Sequence, residues 1–407
     1  MTQEEIRHSF PALNAEVYGK GKNVIYFDNA ATTQRAKCVI EAITNNEIYR
    51  NANIHRAVHK LSMEATDAYI EARKKVAEYI GAKDENEVIF TSGTTASINL
   101  VAYSFGEKYI KEGDEIIISE TEHHSNLVPW QQLCKRKKAV LKYIGIEDNG
   151  RLRYEELNNL ITEKTKLISV AHISNVLGLV NPIDEIVRIG HENGIPVMID
   201  GAQGIAHEEI DVSKTDCDFY AFSGHKIFGP TGTGVLYGKR KYLEAMPPFL
   251  YGGDMVGTVS KEETTFAELP MKFEAGTQNF NSISALSETI DFNRKIREDS
   301  QLQKEFTDAA EYLYRWLKDN DEIILYGTEG KKVPVYSFNV RGAHHEDIAT
   351  LLDKMRIAVR SGQMCAEPLM NRFGVTGMIR VSLSAYNTLE EVKYFTECLE
   401  KAINMLK

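Results

Sequence analysis

The middle of the chain carries a rhythm that leaves few folds open. Between about Ser62 and Tyr237, short apolar runs alternate with stretches of helical periodicity. Ala65, Tyr69, Ala72, Val76 and Tyr79 recur at helical spacing, and Gly81 can close that helix. Glu87-Val-Ile-Phe-Thr then reads as a short buried strand. Ile98, Val101, Phe105 and Tyr109 form the next apolar helical face, ahead of a strand over 115–118. Further strands are expected over 140–144, 167–171, 196–199, 219–222 and 234–237, with a helix over 183–193 stopped by Gly194 and Pro196. Strands that are apolar along nearly their whole length have both faces buried. The rhythm therefore predicts an α/β fold, a largely parallel sheet between two layers of helices.

At 407 residues the chain exceeds the roughly 150 of a usual single domain, so a second unit is expected. The pattern changes near residue 282: a long charged helical stretch (286–317), strands near 335–340 and 378–384, and helices around 347–355 and 390–405. We expect a large α/β domain over 20–281 and a smaller α+β domain built from 1–19 and 282–407. Net charge is 48 − 58 = −10, which does not suit a nucleic-acid coat, and Lys135-Arg-Lys-Lys reads as the basic end of a helix. No apolar run approaches the ~20 residues of a membrane span, and the N-terminus shows no signal-peptide pattern. Five cysteines without C-x-x-C spacing point to a reduced chain, and a cytoplasmic location is expected.

In an open parallel sheet, ligands bind beyond the carboxyl ends of the strands. Five successive strand ends carry polar, chemically capable side chains here: Ser92-Gly-Thr94-Thr95, His123-His124, His172 with Asn175, Asp200-Gly-Ala-Gln203, and Ser223-Gly-His225-Lys226. A random surface would not do this. Thr94 and Thr95 after Gly93 read either as a phosphate site at a helix N-terminus or as an ordinary cap. Asp200 reads as a turn residue or as a carboxylate awaiting a cation. Lys226 reads as a snorkelling surface side chain or, if buried, as an amine of lowered pKa. Together, phosphate donors, His123, an acid and a lysine match what pyridoxal phosphate requires. No G-x-G-x-x-G follows the first strand, no G-x-x-x-x-G-K-S/T occurs, and no H-E-x-x-H is present, so neither a nucleotide nor a metal is expected. The glycine-rich stretch Gly229-Pro-Thr-Gly-Thr-Gly234 reads as a turn that lets the backbone pass close to a cofactor.

A second centre lies far along the chain. Arg360-Ser-Gly-Gln-Met-Cys365 joins a cation to a cysteine through a polar loop, and Arg380 follows on the strand near 378–384. An arginine there suits a substrate carboxylate, and a thiolate beside a cation would be stabilised. The other cysteines, Cys38, Cys134, Cys217 and Cys398, read as small apolar residues.

The segment Phe222-Ser-Gly-His-Lys-Ile-Phe-Gly-Pro-Thr-Gly is similar to the Schiff-base segment of fold-type I, class V pyridoxal phosphate enzymes. More narrowly, the chain resembles the SufS-type cysteine desulfurase/selenocysteine lyase family. Tyr26-Phe-Asp-Asn-Ala-Ala-Thr-Thr, His55-Arg56, Glu122-His-His-Ser-Asn, Phe273-Glu-Ala-Gly-Thr and Arg380-Val-Ser-Leu add to the likeness, in the family's order and across nearly the whole chain. The resemblance implies that Lys226 holds pyridoxal 5′-phosphate, Asp200 pairs with its ring nitrogen, His123 stacks on the ring and Gln203 contacts the ring hydroxyl. Thr94, Thr95, Ser223 and His225 would bind the phosphate, with Thr277 of a second subunit, which implies a homodimer. Asn175, Arg380 and Arg360 would hold the substrate, and Cys365 would accept its sulfur as a persulfide. L-cysteine would become L-alanine, and the sulfur would pass to a SufE- or SufU-like acceptor for iron–sulfur cluster assembly. A selenocysteine lyase, or an aminotransferase of the same class, is the alternative. The chain departs from the family before the cysteine, where Gln363-Met364 replaces the usual histidines, and at Ala96-Ser97.

Overall fold

The computed structural model describes residues 3–55 and 57–407; Arg56 of the His55-Arg56 pair lies outside the described residues. The chain opens into β1 (Ile25–Tyr26) and then builds one large sheet. Its strands are β2 (Val88–Thr91), β3 (Glu115–Ser119), β4 (Val140–Ile144), β5 (Thr165–Ala171), β6 (Val197–Asp200), β7 (Phe219–Ser223) and β8 (Gly234–Gly238), in the order β2-β8-β7-β6-β5-β3-β4. Six of the seven point the same way, and β8 is antiparallel to both of its neighbours. These are the strands expected from the sequence, displaced by a residue or two at their ends.

Burial explains why the strands read as continuous apolar runs. Ile117, Ile168, Ile199 and Phe222 point into a core with the helices Lys60–Tyr79 and Ile183–Glu192. Their neighbours Ile116, Ile118, Leu167, Met198 and Phe219 point the other way, into a core with Thr94–Tyr109 and Val128–Lys137. Successive side chains alternate between faces, and both faces are covered.

A hairpin, β9 (Val256–Val259) and β10 (Thr264–Phe266), leads out of the large sheet. The charged stretch expected as one helix is two, Leu286–Glu298 and Ser300–Asp319. Asp299 leaves the helical conformation between them, and its carboxylate accepts the Leu302 N–H as the cap of the second helix.

The second sheet holds β11 (Ile323–Leu325), β12 (Val335–Val340), β14 (Arg360–Gly362) and β15 (Met378–Ser382), antiparallel in the order β11-β12-β15-β14. Between β12 and β14 runs β13 (Ile357–Ala358), which pairs in parallel with β1. Phe27 packs edge-on against Phe395 in the second core, so the segment before the large sheet lies along the small one. The two sheets meet at the loop after β5, where Ser337 donates to the Val176 carbonyl at 2.6 Å and Arg380 to the Asn175 carbonyl at 2.9 Å.

Candidate active site

Strand order reverses between β3 and β5, because β4 lies to one side of β3 and β5 to the other. A crevice opens at such a switch point beyond the strand ends. Here it forms a cleft of about 530 Å³, closed from above by the small sheet and the Cys365 loop. Twelve of the thirteen site residues expected from the sequence line it. The exception is Thr277, which is exposed and lies outside this cleft. His172 does not line it either; its Nδ1 lies 3.1 Å from the Tyr220 hydroxyl beneath the strand ends.

One end of the cleft is a set of donors around the first turn of the helix Thr94–Tyr109. Gly93 takes φ +152°, which a side chain would forbid, and a Cβ on Gly234 would come within 2.3 Å of the Gly93 backbone. The glycine pair thus lets β8 close under the helix start. The Thr94 and Ser223 hydroxyls lie 2.8 Å apart, as do the Thr94 amide and the Ser223 oxygen, while Thr95 contacts Ser125 at 2.6 Å. His225 approaches the same end and contacts the Thr32 hydroxyl through Nδ1 at 3.1 Å. Hydroxyls and free amides at a helix start, with no carboxylate among them, fit a phosphate.

Asp200 ends β6, fully buried, and among the described residues its side chain has one hydrogen bond, from the Ala202 amide at 2.9 Å. Burial raises its pKa to about 6. A buried carboxylate so placed needs a cation, and a pyridinium nitrogen would supply one. Lys226 lies deep in the cleft and donates to the carbonyls of Ala30 and Ala31 at 2.5 and 2.9 Å. Burial first, then the charge of Arg380, lowers its pKa to about 7. Gln203 donates to the Ala30 carbonyl at 2.8 Å. His123 accepts the Ser125 amide on Nδ1 at 3.0 Å, and burial lowers its pKa to about 4. The ring is therefore neutral near pH 7, with its proton on Nε2. Phosphate donors, a cation-seeking acid, an amine and a neutral ring in one cleft fit pyridoxal phosphate.

The small sheet contributes the other wall. Arg360 of β14 and Arg380 of β15 are direct cross-strand partners, a like-charge pair that needs a counter-ion. Asp28 supplies it, lying 2.9 Å from Arg360 and 3.0 Å from Arg380. Sequence reasoning did not find Asp28. The signal was a carboxylate closing the apolar segment Ile25-Tyr-Phe, the same signal that marked Asp200. Arg380 also donates to the Asn175 carbonyl through Nη1, and its buried Nε has no acceptor.

Cys365 is exposed; of the other four free cysteines three are buried and Cys38 is half-buried. Of the two residues that stand before Cys365 in place of the family's usual histidines, Gln363 is exposed and Met364 is buried in the main core. His124, which the sequence analysis left without a role, reaches the loop from the other side of the cleft and accepts the Glu367 amide at 3.3 Å.

A sequence profile of the aminotransferase class-V family matches residues 25–395. A probable cysteine desulfurase of Halalkalibacterium halodurans is 43% identical over 401 residues, 98% of each chain. One from Vibrio cholerae is 42% identical over 403 residues, 99% of each. Among solved structures, the cysteine desulfurase CsdA from Escherichia coli superposes over 100% of both chains with a TM-score of 0.90 at 35% identity. The apo cysteine desulfurase from Thermococcus onnurineus gives 0.89 at 38% identity over 98% of both. The architecture expected from the sequence, fold-type I of the pyridoxal phosphate enzymes, is the one observed.

Proposed function

Since the chain belongs to the aminotransferase class-V family, we propose that it is an L-cysteine desulfurase working with pyridoxal 5′-phosphate. Family membership narrows the chemistry without choosing the reaction. The observation that carries the choice is the exposed thiol of Cys365, set on the rim of the cleft whose floor holds Lys226 and Asp200.

Thr94, Thr95, Ser223 and His225 would hold the cofactor phosphate, Asp200 its ring nitrogen and Gln203 its ring hydroxyl, with His123 against the ring. When bound, the cofactor supplies an electron sink for the substrate α-carbon. Lys226, whose pKa burial lowers to about 7, would take and return a proton at that carbon. The orphaned Nε of Arg380 is a ready donor for the substrate carboxylate, with Arg360 and Asn175 beside it. The Cys365 thiolate attacks the substrate sulfur. A new S–S bond forms as the C–S bond breaks, the electron pair stays with carbon and is protonated, and the products are alanine and an enzyme persulfide.

Thr277, exposed outside its own cleft, supports a homodimer in which it completes the partner's phosphate site. Exposed apolar side chains at Ile48, Tyr49, Val58, Leu250 and Tyr251 support the same reading. An exposed persulfide at Cys365 is accessible to a SufE- or SufU-like acceptor protein, and iron–sulfur cluster assembly is the proposed destination of the sulfur. Unpaired cysteines throughout support a reducing, cytoplasmic setting. Among the described residues no helix is long and apolar enough to cross a membrane.

The test compares alanine and reducible sulfur released from L-cysteine by the native protein and by Cys365→Ser. Equal yields, lost in the variant while the cofactor colour remains, support the desulfurase. Undiminished alanine without Cys365, or activity on selenocysteine alone, makes the chain a lyase of another specificity.

A further inference from the structure

The loop that carries Cys365 is held in a conformation its residues do not favour. Met364 and Cys365 take φ values of +54° and +55°, two successive left-handed residues with neither a glycine. Each such residue is strained and persists only where its surroundings over-determine it. The flanking side chains provide part of the restraint: Met364 and Ala366 are both buried in the main core, while Cys365 between them stays exposed.

The backbone restraints come from across the cleft. Asn175 donates its side-chain amide to the Met364 carbonyl at 2.9 Å. The His124 amide donates to the Cys365 carbonyl at 2.7 Å, and the His124 ring accepts the Glu367 amide on Nε2 at 3.3 Å. His124 therefore grips the loop twice just after the thiol-bearing carbon, while Asn175 holds the residue before it. His124 is also the chain neighbour of His123, whose ring lines the cleft above Lys226.

Resting on the desulfurase reading, we propose that His124 is a positioning residue for the Cys365 thiol, its imidazole holding the Glu367 amide so that the loop presents sulfur to the cleft in one fixed geometry. The imidazole lies at the edge of the cleft, and the role assigned to it is exerted through the loop. Because the His124 backbone also carries His123, the face of the cofactor and the nucleophile are referenced to the same pair of residues. Misplacing a reacting atom by about 1 Å can cost on the order of a hundredfold in rate. The imidazole is the part of this grip that substitution can remove, since the His124 backbone amide survives in every variant.

The experiment compares His124→Leu with His124→Gln, whose Oε1 can replace the accepting Nε2. With L-cysteine and the cofactor-loaded protein, His124→Leu is expected to lose ten- to a hundredfold in kcat. The cofactor spectrum and the spectral titration with L-cysteine stay as in the native protein, and His124→Gln recovers most of the rate. A weakened L-cysteine titration that accounts for the loss, or an unchanged kcat, overturns the proposal. A second arm needs no turnover. Mass-spectrometric alkylation of Cys365 by iodoacetamide, referenced to Cys38, should change at least threefold in His124→Leu and little in His124→Gln, and equal rates in all three proteins refute the role. Native protein that yields no alanine from L-cysteine defeats the functional reading, while the alkylation arm still decides the place of His124.

Discussion

Asp28 is the residue on which the substrate wall of the cleft depends, and Asp28→Asn should act in opposite directions on stability and on substrate binding. The Arg380 side chain is 3% exposed and Asp28 14%, so their 3.0 Å contact is a buried ion pair. Removing one partner of such a pair typically costs about 3–5 kcal/mol, since the other charge is left uncompensated. An asparagine Oδ1 can still accept from Arg380, which returns about 1 kcal/mol. Arg360 is 46% exposed, and its contact with Asp28 is screened to at most about 1 kcal/mol. The net loss is about 2–4 kcal/mol, a fall in Tm of roughly 2–5 °C for a chain of this size.

The same substitution leaves two guanidiniums facing the cleft with no carboxylate paired to them. A substrate carboxylate drawn to the free Nε of Arg380 then no longer meets the charge of Asp28. A unit charge at ~5 Å, with an effective dielectric of about 40–80, contributes roughly 1–1.5 kcal/mol, so L-cysteine should bind about five- to tenfold more tightly. Thermal melting of the cofactor-free protein and a spectral titration of the loaded protein with L-cysteine measure the two effects. Weaker binding together with an unchanged Tm would refute the reasoning, because Asp28 would then be neither a structural counter-ion nor a competitor of the substrate.

Two further outcomes follow from buried charges. In the cofactor-free protein, Asp200 contributes stability that is lost as pH rises from about 3.8 to 6, and Lys226 a contribution regained as pH rises from about 7 to 10.5, so their combined penalty is largest between pH 6 and 7. Asp200→Asn should raise stability there by about 2–3 kcal/mol while weakening cofactor binding, as read by melting across pH and by cofactor titration; a less stable variant at pH 6.5 contradicts this. Glu274 is fully buried, pairs with Arg73 at 2.7 Å and accepts the Phe90 amide and the Tyr69 hydroxyl, so Glu274→Gln should cost about 3–5 kcal/mol in denaturant unfolding, and a cost under about 1 kcal/mol speaks against it.

The strands were legible because burial on both faces compresses each into a short apolar run, and the polar residue that ends each run marks the edge of the cleft. Asp200 and Lys226 could be read this way because each follows directly on its own strand. Asp28 carried the same local signal and was missed, because its meaning lies in Arg360 and Arg380, more than 330 positions away. His124 was hidden for a related reason: its partner at Glu367 is 243 positions distant, and its neighbour His123 already accounted for the histidine pair. The break at Asp299 was obscured by charged helical periodicity that continues on both sides of it. In Gln363-Met364, composition gave no way to tell that the methionine turns into the core while the cysteine beside it turns out. Local pattern reveals where a chain places capable side chains, whereas pairing across two sheets reveals which of them hold the others in place.

The titration shifts in the cleft have one common cause, and its direction differs with the charge of the group. Burial removes hydration from an anion and a cation alike, so it pushes Asp200 up and Lys226 down toward each other. Arg380 adds to the depression of Lys226, while Asp28, which holds Arg380, opposes it. The counter-ion of the substrate wall is thereby also part of the electrostatic setting of the amine. A fold that buries an acid with one backbone hydrogen bond, and an amine held by two carbonyls, keeps both near the point of neutrality in the absence of a ligand. In the proposed roles, a cationic ring nitrogen would relieve the first, and covalent use of the amine would relieve the second. Cofactor affinity in this family member therefore draws on the same burial that destabilises the empty cleft, which ties its cofactor binding to its pH-dependent stability.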